Sequence, residues 1–137
     1  WKLASALRTS DETILNTYQM ERLPVAAGML NLTKTLHVDV STKRGELTNQ
    51  LSLGYRDSPM AKGLPEGDLY PGDRIPGQRL ADGRHLLEVV GHGGATQLMR
   101  PGGKHILVRP DGYIAEFTKK PVDSYHGHDV VQVKAAH

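Results

Sequence analysis

Between residues 45 and 77 the chain is punctuated by Gly45, Gly54, Pro59, Gly63, Pro65, Gly67, Pro71, Gly72, Pro76 and Gly77. Glycine weakens any regular element and proline removes an N–H, so no long helix or strand can cross such a stretch. Regular structure is thereby pushed towards the two ends, and "SPMAKGLPEGDLYPGDRIPG" must run as a loop over a surface. Leu64, Leu69, Tyr70 and Ile75 give that loop anchors to bury, which separates it from a Gly-Ser linker. Only "ELTNQLSLGYR" alternates well enough for a strand, with Leu47, Leu51, Leu53 and Tyr55 on a two-residue period.

Ahead of this stretch the periodicity is helical. Trp1, Leu3, Ala4 and Leu7 recur at spacings of three and four, a stripe that needs a covering partner. Thr9-Ser10-Asp11-Glu12 has the form of a capping box and predicts a new helix start. Ile14, Leu15 and Tyr18 continue the buried face. Pro24 should end this helix near Arg22 or Leu23 and open the next, on which Val25, Ala26, Met29, Leu30 and Leu36 recur. Behind the punctuated stretch the texture is β. Asp82-Gly83 predicts a tight turn between Leu80 and a returning strand through Leu86, Leu87, Val89 and Val90. Pro110-Asp111-Gly112 predicts a second turn between Ile106–Val108 and Tyr113–Phe117. The tail from Val122 is polar, with one edge strand at Val130–Val133.

Composition narrows the function classes. The chain has the length of one domain, 137 residues, with 38% hydrophobic and 5% aromatic residues, so its core is aliphatic. Seventeen basic against fifteen acidic residues give +2 without a basic run, which argues against nucleic acid as a partner. No apolar stretch has the length of a membrane span, so no membrane partner is expected. The lack of cysteine excludes disulfides and thiol chemistry and fits a reducing compartment, hence a cytoplasmic location.

The chemistry-bearing clusters have plain readings. His126-Gly127-His128-Asp129 lies in a Gly-containing tail and reads as solvated rather than as a metal site. His85, His92 and His105 are scattered through the β part and read as surface or turn residues. "GHGGATQLMRPGGK" lacks the Gly-Lys-Ser/Thr ending of a phosphate loop and reads as a mobile loop. Arg109 and Asp111 read as turn-stabilising residues. Glu21 and Arg22, adjacent at a helix end, cannot face each other and must each pair with something beyond that helix, as a structural clamp.

The ordered set "WKLA", "LNTYQMERLPVA", "YRDSPM", "YPGDRIPGQRLADG" and "ILVRPDGYIAEF" resembles the C-terminal part of flavin (FAD)-dependent aromatic-ring hydroxylases, the single-component FAD monooxygenases. Trp1, Lys2, Leu3 and Ala4 match the helix that closes the family's FAD-binding domain. Tyr18, Glu21, Arg22 and Pro24 match its helix junction, and Pro71, Gly72, Arg74 and Pro76 its Pro-Gly-x-Arg-x-Pro loop. Arg109, Pro110, Asp111, Gly112 and Tyr113 match its last hairpin. Two departures stand out: Gly77 occupies a position usually held by His, and residues 77–105 leave room for little more than a hairpin.

The resemblance implies an α+β fold, N-terminal helices followed by a small, truncated thioredoxin-like β-rich domain. It implies a helical segment at 1–38 closing an FAD-binding domain absent from this chain, a connecting strand and Pro/Gly-rich loop at 39–78, and the β-rich part with its polar tail at 79–137. The intact parent would use FAD and NAD(P)H to hydroxylate an aromatic, phenolic substrate. This fragment would hold no cofactor and supply no catalytic, cofactor-binding or metal-binding residue. Its expected partners are the missing FAD-binding domain and a second copy in a homodimer. The competing reading is a self-sufficient, non-catalytic β-rich binding or dimerisation module.

Overall fold

The computed structural model describes residues 1–38 and 52–137, and its architecture is α+β. Two helices come first, α1 (Lys2–Thr9) and α2 (Thr13–Val38). Five strands follow the loop region: β1 (Ala95–Arg100), β2 (Lys104–Val108), β3 (Ile114–Thr118), β4 (Ser124–Tyr125) and β5 (His128–Lys134). They form one mixed sheet in the order β3-β2-β1-β5-β4, in which only β1 and β5 run parallel.

Turn chemistry sets this register. Gly102 and Gly103, both at positive φ, reverse the chain between β1 and β2 and place Leu98 opposite Ile106. Arg109–Tyr113 joins β2 to β3, as the Pro-Asp-Gly signal predicts, with Arg109 N–H donating to the Tyr113 carbonyl (2.8 Å). His126 and Gly127 at φ 47° and 75° form a two-residue turn between β4 and β5.

The alternation of strand side chains divides the core in two. Leu98, Ile106, Val108, Ile114 and Val133 pack one face against Ile75, Leu80 and Leu86. Ala95, Leu107 and Ala115 form the other face, with Tyr125 and Val130 beside them. Tyr125 also packs against the cluster of Ala6, Ile14 and Met60, which ties the helices to the sheet. The punctuated loop lies along β3 as expected of a surface loop. Lys62 and Gly72 donate to the Ala115 and Ile114 carbonyls, and Ile114 donates back to Asp73. Gly72 is obligatory there: its φ is +91° and a Cβ would run into the Tyr55 carbonyl.

Several local expectations are corrected. α2 does not break at Pro24 but passes through it. Pro24 brings no amide to the Met20 carbonyl, and Met20 is 58% exposed. The Thr9–Glu12 capping box does not form, because Thr9 donates back to the Ser5 carbonyl and Asp11 instead accepts from the Thr13 amide. Asp82-Gly83 does make a turn, but Leu86–Glu88 returns as a 3₁₀ turn rather than a strand. There the His85 ring accepts from Leu87 N–H and the Glu88 carboxylate accepts from His85 N–H. The glycine-rich "GHGGATQLMR" segment is no mobile loop, since it carries β1, the middle strand of the sheet. Val130–Val133 lies in β5 and pairs with β1, while β4 covers only His128 and Asp129 on the other side, so that segment keeps one strand partner as expected of an edge. In the strand expected over "ELTNQLSLGYR", Leu47 and Leu51 lie outside the described residues.

Candidate functional site

Four of the sequence motifs, far apart along the chain, converge on Glu21. The first turn of α1 points Lys2 inward, and its Nζ donates to Glu21 Oε2 (2.7 Å) and to Thr17 Oγ1 (2.8 Å). From the β2–β3 turn, Arg109 reaches Glu21 with both terminal nitrogens, Nη1 to Oε1 at 2.6 Å and Nη2 to Oε2 at 3.0 Å. Ser58 Oγ, the third side chain on this carboxylate, also donates to Oε1 (2.6 Å). Arg109 also pairs with Asp111 on its own turn, through Nε (3.0 Å) and Nη2 (2.6 Å), and Trp1 Nε1 donates to the same carboxylate (2.9 Å). The side chains of Arg109, Glu21 and Lys2 are 1%, 4% and 6% exposed.

Aromatic rings wall the guanidinium. Its carbon lies 5.3 Å from the Trp1 ring, 5.4 Å from Tyr55 and 5.7 Å from Tyr113. Tyr55 and Tyr113 are in contact, with centroids 4.6 Å apart. Each phenol takes an outer arginine: Arg22 donates to Tyr55 (3.1 Å) and Arg74 to Tyr113 (3.1 Å). Two carboxylates and two cations thus balance within the cluster, and the outer arginines are bonded to its aromatic wall.

The electrostatics follow from burial against pairing. Burial pushes the Glu21 carboxyl up, but hydrogen bonds from Arg109, Lys2 and Ser58 outweigh it and hold the group below its ordinary value. Burial pulls the Lys2 ammonium down, only partly offset by Glu21. For Arg109, burial is overcome by the bonds to Glu21 and Asp111, which raise its affinity for the proton. A carboxylate saturated by donors from three side chains and an arginine engaged on both edges have no spare capacity for acid–base work. The arrangement can lock α1, α2 and the β2–β3 turn together, and that is its chemistry.

Above the cluster opens a cleft of about 480 Å³, lined by Trp1, Leu3, Leu15, Tyr18, Tyr55 and Arg22 among others. Its rim is apolar and exposed. Leu3 and Tyr18 are 64% and 60% exposed, and Leu7, one turn beyond Leu3, is 77% exposed. Of the leading stripe expected to need a partner, Leu3 and Leu7 are therefore uncovered within the described residues, while Trp1 and Ala4 are half-buried and Trp1 packs against the Ala6, Ile14 and Met60 cluster; Lys2, Ser5 and Ala6 are the buried side of α1.

The expected clamp role of Glu21 and Arg22 is what the geometry shows, each bonded beyond its own helix. Arg109 and Asp111 do stabilise their turn, yet this understates Arg109, which also makes the long-range pair to Glu21. Tyr55 and Ser58 both lie in "YRDSPM", but the sequence marked Tyr55 only as a strand position and did not single out Ser58. His128 is the larger miss. It is 4% exposed and hydrogen-bonded rather than solvated in a tail, while no group of three metal-ligating side chains exists among the described residues. His105 is likewise buried on β2, not at the surface.

No family model matches the chain, and no solved structure matches it. A curated protein of Mycobacteroides abscessus, named a flavin-dependent monooxygenase, is 31% identical over 147 aligned residues. The match takes in 87% of this chain and 31% of that protein, so the chain spans about a third of its relative's length.

Proposed function

We propose that this chain is the C-terminal part of a flavin-dependent monooxygenase, in which it serves as a scaffold rather than as the reaction centre. The observation that carries the reading is that the 31% identity extends over 87% of the chain. The convergence of the resemblance motifs on one buried ion cluster supports it. Trp1-Lys2, Glu21-Arg22, Arg74 and the Arg109–Tyr113 turn are separate in sequence and meet in space.

In this reading the exposed apolar side of α1, with Leu3 and Leu7, rests on the flavin-binding part, while the opposite side is locked to the sheet through Glu21. The cofactor is FAD, reduced by NAD(P)H, and the substrate is an aromatic, phenolic ring. Flavin supplies the oxygen chemistry in such an enzyme, and the protein around it supplies binding and exclusion of water. The described residues do not frame a flavin site. The buried ions are engaged with one another, and the buried polar side-chain atoms without partners, Ser5 Oγ and His105 Nδ1, sit on different elements. The sheet corresponds to a shortened thioredoxin-like domain without dithiol chemistry, since the chain has no cysteine.

Flavin absorbance and substrate-dependent NAD(P)H oxidation, measured on the full-length gene product, test the assignment. A bound yellow chromophore and phenol-stimulated oxidation are expected. A full-length protein that neither retains nor takes up flavin overturns it.

A further inference from the structure

His128, the first residue of β5, sits between α1 and the sheet with more neighbours than one ring state can serve. Its Nδ1 lies 2.8 Å from Arg8 Nη1 and also 2.8 Å from the Gly93 carbonyl oxygen. Its Nε2 lies 3.3 Å from the Trp1 carbonyl oxygen. A bare Nδ1 can accept from Arg8, and a protonated Nδ1 can donate to Gly93, but no nitrogen does both. In a neutral ring, Nε2–H donating to Trp1 and Nδ1 accepting from Arg8 use both nitrogens. Each neutral tautomer sets two acceptors against each other, at Gly93 (2.8 Å) when Nδ1 is bare and at Trp1 (3.3 Å) when Nε2 is bare, but only the bare Nδ1 gives Arg8 an acceptor. In the doubly protonated ring, both nitrogens donate to carbonyls and the Arg8 cation has lost its acceptor.

We infer that His128 is a proton-operated latch at the end of α1. The neutral ring holds Arg8, and uptake of one proton from water exchanges Arg8 for the Gly93 carbonyl. The Gly93 carbonyl oxygen must ease away from the bare nitrogen in the neutral state, and Arg8 from the protonated nitrogen in the charged one. Arg8 is exposed and can swing into water, and only the tie between α1 and β5 is lost. Local packing makes the exchange matter to the helix: a Cβ on Gly127 would lie 3.1 Å from Arg8 Cβ and 3.0 Å from Thr9 Cγ2, so the last turn of α1 rests directly on the β4–β5 turn.

The charged and titratable groups around the ring are few. Arg8 comes from α1. His126 comes from the β4–β5 turn, its imidazole held below the usual value by burial, then by Lys62 and His128, against Asp11 from the α1–α2 turn. Tyr125 of β4 carries a phenol that burial pushes well up, so it stays neutral throughout. Asp129 follows on β5 with its side chain on the opposite face of the strand. The latch does not depend on the flavin assignment.

Nitrogen-detected NMR of the 137-residue chain, labelled at histidine and arginine, tests it between about pH 8 and about pH 5. The neutral ring is expected to carry its proton on Nε2, with Arg8 guanidinium protons in slow exchange. Acidification should protonate Nδ1 and, over the same interval, return Arg8 to fast exchange. Amide exchange in the last turn of α1, corrected for intrinsic rates, should then rise about 2–12-fold, the worth of one hydrogen bond. Arg8→Gln, at an exposed position, should abolish that step, and His126→Asn should leave it in place. A neutral ring protonated on Nδ1, or Arg8 signals that ignore ring protonation, overturns the latch.

Discussion

Replacing Glu21 by glutamine removes one negative charge from a site that holds Lys2 and Arg109, leaving Asp111 as their carboxylate partner. The new amide also turns an N–H₂ towards donors that had an acceptor, so the loss is electrostatic and geometric together. Breaking a buried pair by removing one partner costs about 3–5 kcal/mol, because the remaining charges stay desolvated. That is a large share of the roughly 5–15 kcal/mol by which domains are usually stable. With an unfolding entropy of about 2.1 cal/mol/K per residue, such a cost over this chain lowers Tm by about 10–17 °C. The single tryptophan, Trp1, touches the cluster through Asp111, so its fluorescence reports loss of the site directly in a urea or thermal titration. Glu21→Gln with Arg109→Met should be less damaging than the sum of the two single changes, with a coupling of about 1–3 kcal/mol. A single-mutant cost below about 1 kcal/mol with additive effects would show a pair solvated like a surface one, and the clamp argument would fail.

Gly77→Ala would place a methyl 2.7 Å from the His85 ring carbon Cε1, displacing the side chain that caps Leu86–Glu88. A loss of about 1–3 kcal/mol in urea unfolding is expected. Gly72→Ala meets both a positive φ and the Tyr55 backbone, so it should cost more than Gly77→Ala in the same assay. The Glu21 carboxyl sits below its ordinary value of 4.5 in the folded chain, so unfolding takes up a proton in that window. Stability should be fully present above 4.5 and decline as pH falls through the folded value, with a shallower acid limb in Glu21→Gln. Leu3→Glu and Leu7→Glu, both at exposed positions, should change the stability of this chain by less than about 0.5 kcal/mol. In the full-length product the same changes should reduce flavin retention, measured as the absorbance ratio after gel filtration.

What the sequence showed plainly was whatever local chemistry decides. Pro110-Asp111-Gly112 predicted the β2–β3 turn because proline, aspartate and glycine each bias the backbone there without help. The three- and four-residue spacing placed α1 and α2. Pro24 misled, because the local cost of proline in a helix can be overridden by the rest of the fold, and α2 runs on through it. The Asp82-Gly83 turn was legible, but not the fate of Leu86, since a short apolar run serves a strand or a 3₁₀ turn equally until Leu86 finds its place in the core. β1 was hidden by its glycine-rich flanks, and the parallel β1–β5 pair joins segments far apart in the chain, which no local pattern announces. At the site, the charge of Glu21 and Arg109 was visible but their partnership was not. Ser58 and His128 are ordinary polar residues until the fold withdraws them from water.

The orientation of α1 connects these observations. A helix with a Trp1-Leu3-Leu7 stripe would ordinarily turn that stripe inward, since covering each leucine is worth about 1.5–3 kcal/mol. Here the inward side is Lys2, Ser5 and Ala6, held by an ammonium–carboxylate bond that favours burial only because Arg109 and Ser58 complete the shell of Glu21. Arg8 and the Trp1 carbonyl meet His128 on this same side. Polar groups thus determine which way α1 faces, and the leucines are left out as a consequence. A side chosen by directional bonds cannot rotate away to bury its leucines without breaking the buried Lys2–Glu21 pair. Leu3 and Leu7 are therefore held at the surface, the placement that the proposed contact with a flavin-binding part calls for, and covering them there would add hydrophobic stabilisation without disturbing the clamp beneath.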